Sequence, residues 1–541
     1  MPTLNFPAKA ILLITCVLFS SVSAKASPTI EINNKSYLGK WSDDPDVAAF
    51  LGIPFAQPPV GELRWRAPQP LTASSKNERV NATEFAPVCM QSPRILDWYR
   101  SMAADFGDSN PRKRFPDLNI SEDCLYLNIW TPSLAADSKL PVLVYIHGGS
   151  NKSGWSYEPN YHGHNLAKQG AVVVSIAYRL GIFGFFSHPE LSEQGVNANF
   201  ALHDQRLALQ WIQQHIAAFG GDASNVTLMG ESAGAQNIAY LMSAPSNVGL
   251  LHKAILQSAP LLGVPAPRNL QQEQQWGLEF GQMALQSTDT IDLSPAQQLA
   301  ALRSVPAKQL LALAEQHLAS HDFRPIVDGD LVPAPLHDML TSPVIPLQGL
   351  IIGTNGDEYT SYIANDADEA SFNHLLDNSL IKDTRGLTDA FEQNQWREAS
   401  ARLMTANRML CPAQYLANTI SQQGIPVWMY LFDRVRSGEQ AAQLGAYHGA
   451  ELPYVFNTHD PWLPTDNIDR QLTTAINRYW LQFAASGSPN DKQATWPVFQ
   501  PTEPQQLVFA NSIYPSESAE QALCTDFFKQ AEASTALMPN L

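Results

Sequence analysis

Val226-Thr227-Leu228-Met229-Gly230-Glu231-Ser232-Ala233-Gly234 is the stretch on which the fold turns. Its first four residues predict a short buried strand, and residues 235–243 beyond the second glycine carry a helical pattern. A Gly-x-Ser-x-Gly set between a strand and a helix describes a nucleophile elbow. The glycines let two backbone segments pass close together, and the serine oxygen projects from the end of the strand. A tight structural turn could carry the same five residues; the strand-turn-helix setting separates the two readings.

Outward from the elbow, apolar runs at 125–130, 142–146, 172–177, 349–352 and 427–432 read as further strands. They are continuous rather than alternating, which indicates strands covered on both faces. Between them lie helical patterns. Residues 204–219 place Leu207, Ala208, Trp211, Ile212 and Ile216 on one side, and Gly220-Gly221 stops the pattern. Strands alternating with helices give an α/β fold with one large, mostly parallel sheet flanked by helices. Ligands in such sheets bind at the carboxyl ends of the strands, where Ser232 falls. Residues 263–318 are helical and Gln-rich, with Ser294-Pro295 as a helix start, and predict a helical cap insertion.

The chain has no internal repeat, and residues 25–541 read as a single domain. A net charge of −17 argues against nucleic acid as a partner. Lys9, an apolar run at 10–19 and small residues at Val22-Ser23-Ala24 and Ala24-Lys25-Ala26 resemble a signal peptide over 1–24, cleaved after Ala24 or Ala26. Export to the periplasm or the medium is therefore expected. No later run reaches the ~18 apolar residues of an integral membrane segment. Without the leader four cysteines remain, Cys89, Cys124, Cys411 and Cys524. An even count in an exported chain suggests two disulfides, with three pairings open. No metal-ligand spacing accompanies them.

A serine nucleophile needs a base, an orienting acid and an oxyanion hole. The strand at 349–352 leads into Gly353-Thr354-Asn355-Gly356-Asp357-Glu358, two acids at a strand end. The strand at 427–432 is followed by Gly445-Ala446-Tyr447-His448-Gly449-Ala450-Glu451. Acid then histidine, behind an elbow serine, is the chain order of α/β-hydrolases. His147-Gly148-Gly149-Ser150 follows the strand at 142–146 and offers backbone N–H groups to a developing oxyanion, with Ala233 as partner. A histidine base should give an apparent pKa of roughly 6 to 7.5.

Over essentially all of its length beyond the leader the chain resembles the type-B carboxylesterase/cholinesterase family of α/β-hydrolases. The resemblance rests on Phe50-Leu51-Gly52-Ile53-Pro54-Phe55-Ala56, on Glu122-Asp123-Cys124-Leu125-Tyr126-Leu127-Asn128, on Phe219-Gly220-Gly221-Asp222 leading into the elbow, and on His448-Gly449-Ala450-Glu451. It implies Ser232, Glu358 and His448 as a triad, with Glu358 rather than Asp357 as the acid. It implies Gly149, Ser150 and Ala233 as the oxyanion hole, Glu231 and Ser258 as supporting residues, and Cys89–Cys124 and Cys411–Cys524 as the pairings. Ser150 stands where the family has a third glycine. The implied activity is hydrolysis of small-molecule carboxylic esters through an acyl-enzyme on Ser232, with no cofactor or metal.

Leu261-Leu262-Gly263-Val264-Pro265 lacks the aromatic that narrows the acyl pocket of acetylcholinesterases, and Trp98 lies too near Cys89 to match their choline-binding tryptophan. Neutral esters with short to medium acyl chains are therefore expected. The alternatives are a cholinesterase-like hydrolase of cationic esters and, in a different class, an inactive adhesion protein. Such adhesion proteins lose the serine or the histidine, and this chain keeps both. Oligomeric state is not legible in the sequence.

Overall fold

Eleven strands form one sheet in the computed structural model, which describes residues 25–536 apart from 73–77, 263–268, 286–292, 318–320, 343–344, 393–394 and 493–494. The expected leader at 1–24 lies outside the described residues. In chain order the strands are β1 (Lys40–Trp41), β2 (Ala48–Pro54), β3 (Tyr126–Thr131), β4 (Leu140–Ile146), β5 (Val172–Ile176), β6 (Gly221–Glu231), β7 (Lys253–Gln257), β8 (Leu350–Asn355), β9 (Val427–Phe432), β10 (Gln505–Phe509) and β11 (Ile513–Glu517). Their order across the sheet is β11-β10-β9-β8-β7-β6-β4-β5-β3-β2-β1. From β5 through β4 and on to β10 every neighbour is parallel. The pairs beyond, at both edges, are antiparallel.

The residue pattern explains the parallel centre. Val142, Val144 and Ile146 enter the apolar cluster on one face of the sheet, while Leu143 and Tyr145 enter the cluster on the other. All five are fully enclosed, so β4 has no solvent face that would need polar alternation. Helices cover both faces. The elements that matter below are α1 (Arg94–Asp105), α2 (Phe200–His215), α3 (Ala233–Ser243), α4 (Leu270–Leu285), α5 (Pro295–Ser304), α6 (Ala307–His317), α7 (Cys411–Gln422) and α8 (Gln521–Ala536). Among the described residues no helix is long and apolar enough to cross a membrane.

The helical insertion expected at 263–318 comprises α4, α5 and α6. Ser294 caps α5 through a reciprocal bond with Gln297, as the Ser-Pro start implied. Leu299, Leu302 and Leu310 then join the main core rather than a separate lid. No residue of α4 to α6 lines the central cavity; the segment just beyond them, at Asp322-Phe323-Arg324, does.

Cys89 is bonded to Cys124 across 35 residues, and Cys411, opening α7, to Cys524 on α8 across 113. The first bridge closes the loop that carries α1. The second ties the last described helix to the body. Chain entropy alone gives about 4 and about 5 kcal/mol for loops of these lengths. Replacing Cys411 and Cys524 together by Ser should therefore lower unfolding free energy at least as much as replacing Cys89 and Cys124. Urea titrations of the two double variants check this; an undisturbed midpoint in the Cys411/Cys524 variant would contradict it.

Candidate active site

The site starts from a collision that only glycine avoids. β6 and β4 run in register, with Gly230 opposite Ile146. A Cβ on Gly234 would sit 2.1 Å from the Ile146 carbonyl oxygen and 2.6 Å from that of His147. With hydrogen there instead, α3 starts directly against the end of β4. Ser232, at the corner, is held at φ 54° and ψ −125°, an unfavourable backbone region for a residue with a side chain. Its N–H donates to the Gln257 carbonyl at 2.9 Å, and its own carbonyl accepts from Gln236 N–H at 3.0 Å. The elbow is thus fastened to β7 on one side and to α3 on the other. Ala233 opens α3, where the first N–H groups have no partner within the helix.

The loop after β4 lies against this corner. Gly149 at φ 96°, Ser150 at φ 57° and Asn151 at φ 55° form a left-handed run. Ser150, the departure from glycine, adopts positive φ with its side chain exposed. The loop is anchored at both ends. Tyr178 hydroxyl donates to the His147 carbonyl at 2.7 Å, Gly181 N–H donates to the Asn151 carbonyl at 2.7 Å, and Asn237 Nδ2 donates to Asn151 Oδ1 at 3.0 Å. His147 is fully enclosed, and burial holds its imidazole down at about 4, in the neutral form.

Glu358 and His448 come from the loops after β8 and β9. Glu358 is fully buried; its Oε1 accepts from Asn355 N–H at 2.7 Å and its Oε2 lies 2.6 Å from His448 Nδ1. Asp357 turns the other way. Its Oδ2 accepts from Ala446 N–H at 2.8 Å and its own N–H donates to the Ala446 carbonyl at 3.0 Å. One acid therefore meets the imidazole, and its neighbour stitches the backbone two residues upstream of it. His448 Nε2 lies 3.0 Å from Glu231 Oε1. Ser232, His448, Glu358 and Glu231 all border one cavity of about 510 Å³, together with Gly149, Ser150 and Ala233.

Beneath them lies a fourth carboxylate that sequence reading quoted but gave no role. Glu451 accepts from Gln257 Nε2 at 2.8 Å and from Asn355 Nδ2 at 2.6 Å. Its spacing of three from His448, just ahead of a short helix, was the available signal. Burial pushes its carboxyl up. Burial also pushes Glu231 up to about 8, against the pull of His448, with Glu451 and Glu358 adding to the rise. Glu158, accepting from Tyr99 hydroxyl at 2.9 Å, is pushed up to about 7 by burial. For His448 burial works downward, but the charges of Glu231 and Glu358 outweigh it and hold the imidazole well above its ordinary value.

Ser258 follows β7 at φ 49°, fully buried, and its hydroxyl has no hydrogen-bond partner within the protein, so it makes no direct bond to Glu358. Gly263, Val264 and Pro265 lie outside the described residues and Leu261 does not border the cavity; the walls come from Trp98, Pro260, Phe323, Arg324, Tyr359 and Tyr362.

Residues 28–524 match the Carboxylesterase family. The chain belongs to the carboxylesterase family. Fumonisin B1 esterase of Sphingopyxis macrogoltabida is 31% identical over 484 residues, covering 84% of this chain and 82% of that protein. Para-nitrobenzyl esterase of Bacillus subtilis (strain 168) is 31% identical over 490 residues, covering 88% and 93%. Acetylcholinesterase of Bungarus fasciatus is 30% identical over 506 residues, covering 86% and 79%. Among solved structures, a thermophilic PNB esterase superposes with a TM-score of 0.76 at 28% identity, covering 93% of this chain and all of the other. This carboxylesterase is thus a serine-hydrolase-type enzyme acting on small-molecule carboxylic esters.

Two outcomes follow for the carboxylesterase's acids. Glu358→Gln should cost kcat far more than Asp357→Asn, by about 10²-fold or more, because a neutral amide no longer stabilises an imidazolium. Steady-state kinetics of both purified variants decide it, and the reverse order would give Asp357 the role. The pH dependence carries its own sign. Neutral imidazole accepts a proton, so with His448 held well above its ordinary value the acid limb of kcat/KM should lie at higher pH than an ordinary histidine gives. Glu231→Gln removes one of the charges that raise His448, so the limb should move to lower pH. A limb that stays in place would separate Glu231 from this titration.

Proposed function

We propose that Ser232 attacks the ester carbonyl, His448 takes its proton and returns it to the leaving alcohol, and Glu358 orients and stabilises the imidazolium. The observation that carries this reading is the juxtaposition in one cavity of a strained elbow serine with an imidazole bonded to a buried carboxylate. Backbone N–H groups of Gly149, Ser150 and Ala233 supply the oxyanion site, and water then releases the acid. The Nδ1 contact to Glu358 fixes the tautomer in which Nε2 is the atom available for proton transfer.

The substrates we propose are esters with short to medium acyl chains. A cavity of about 510 Å³ with Trp98, Phe323, Tyr359 and Tyr362 among its walls leaves room for more than an acetyl group, and each added buried methylene contributes about 0.8 kcal/mol until the space is filled. Export through the segment at 1–24 is also proposed; the two disulfides fit an oxidising compartment.

Ser232→Ala should remove about 10⁴-fold or more of kcat on 4-nitrophenyl butyrate while thermal unfolding stays near the parent's. A serine-directed phosphonate should label the parent and leave the variant unmarked. Turnover at parental rate in the variant would end the assignment.

A further inference from the structure

One wall of the cavity carries charge that the proposed reaction does not use. Arg324 stands in it with a side chain nine-tenths buried. One end of its guanidinium pairs with Asp322, and its Nε is buried without a hydrogen-bond partner in the protein. Arg94, on α1, borders the same cavity and is exposed. Lys152 lies 5.6 Å from the Phe323 ring centre, within electrostatic reach of Asp322 and Arg94. Arg408 is within reach of Arg324 and Asp322. Two guanidinium groups thus border the cavity beside Asp322, with Lys152 and Arg408 within electrostatic reach of that carboxylate, on a protein whose net charge is −17.

The cluster is built rather than incidental. Burying a guanidinium is costly unless a partner compensates it. The segment that carries Arg324 is also clamped. Asn199 Nδ2 donates to the Ile326 carbonyl at 2.8 Å, and Asn199 Oδ1 accepts from Ile326 N–H at 3.0 Å. Arg324 is therefore held in place before any substrate arrives. The oxyanion of ester hydrolysis is served by backbone N–H groups, so this wall answers to a permanent negative charge, not a transient one.

We infer that the preferred substrate is an ester carrying a carboxylate, on its acyl or its alcohol half, that docks against Arg324 with Arg94 closing over it. The inference rests on the ester-hydrolase reading above and narrows its substrate class. A guanidinium edge pairs a carboxylate through two parallel N–H bonds. Asp322, already on the same guanidinium, would repel a dianion more than a monoanion, which favours a carboxylate over a phosphate monoester.

Two matched pairs of esters test it. For the acyl half, monoethyl adipate is compared with ethyl adipamate, its neutral amide. For the alcohol half, 3-carboxyphenyl butyrate is compared with 3-carbamoylphenyl butyrate. The anionic member of one pair should win by about 10- to 100-fold in kcat/KM, the range of a charge-assisted hydrogen bond, and Arg324→Gln should collapse that ratio toward one. The winning pair identifies the half that bears the anion. If Arg324→Gln does not accumulate as folded protein, Arg94→Gln should cut the same ratio several-fold, and an unchanged ratio there counts against the inference. Hydrolysis of the neutral esters with no anionic preference in either pair overturns the inference and leaves the esterase reading standing. A preference that survives in Arg324→Gln overturns the assignment to this wall. Failure to hydrolyse any of the four esters, with no phosphonate labelling, removes both readings together.

Discussion

The approach of α3 to the end of β4 sets everything else in this molecule. Two backbones meet where Gly234 faces the Ile146 and His147 carbonyls, closer than any side chain permits. That contact aims Ser232 outward, brings the Gly149–Ser150 turn alongside it and starts a helix whose unpaired N–H groups face the same point. A methyl group at Gly234 would push the helix off the sheet, and with it the serine, so the geometry of the serine and of the backbone N–H groups beside it is one constraint, not two. The strain at Ser232 persists because bonds to β7 and α3 hold the residue from both sides.

Electrostatics add a second layer. Glu158, Glu231, Glu358 and Glu451 are buried near a single imidazole. Such a set cannot all be ionised in a dry interior. Two are pushed up to about 7 and about 8, while Glu358 sits on His448 Nδ1. Of the raised carboxyls only Glu231 touches the imidazole, through Nε2, so its titration is tied to that of His448. Arg324 borders the same cavity.

Much of the fold was legible because parallel strands buried on both faces leave unbroken apolar runs, as at Val142–Ile146 and Val427–Phe432. β7 escaped notice: it begins with a buried Lys253 and ends with Gln257, polar residues satisfied only by tertiary partners such as Asn225 and Glu451. β11, the strand at one edge of the sheet, is similarly mixed, since it faces solvent. Of the candidate site, Ser232, His448 and the pair Asp357-Glu358 were findable because glycines and strand ends mark them locally; the choice of Glu358 within the pair came from the family resemblance. The walls were not. Arg324 follows a helical insertion, and nothing in Asp322-Phe323-Arg324 itself tells that it folds back over an elbow some ninety residues earlier in the chain. Glu451 and Asp357 were visible as letters, but their partners were not, because hydrogen-bond direction is a property of packing.

Asp357 and Glu358 have a consequence for how the protein is assembled. Adjacent in sequence, they grip a loop about ninety residues away, one through its backbone and the other through its imidazole. Neither grip can form until β8 and β9 have paired and the intervening helices have closed a long loop, which is the slow part of building a parallel sheet. The contact between Glu358 and His448 is thus a property of the completed sheet and not of a local motif.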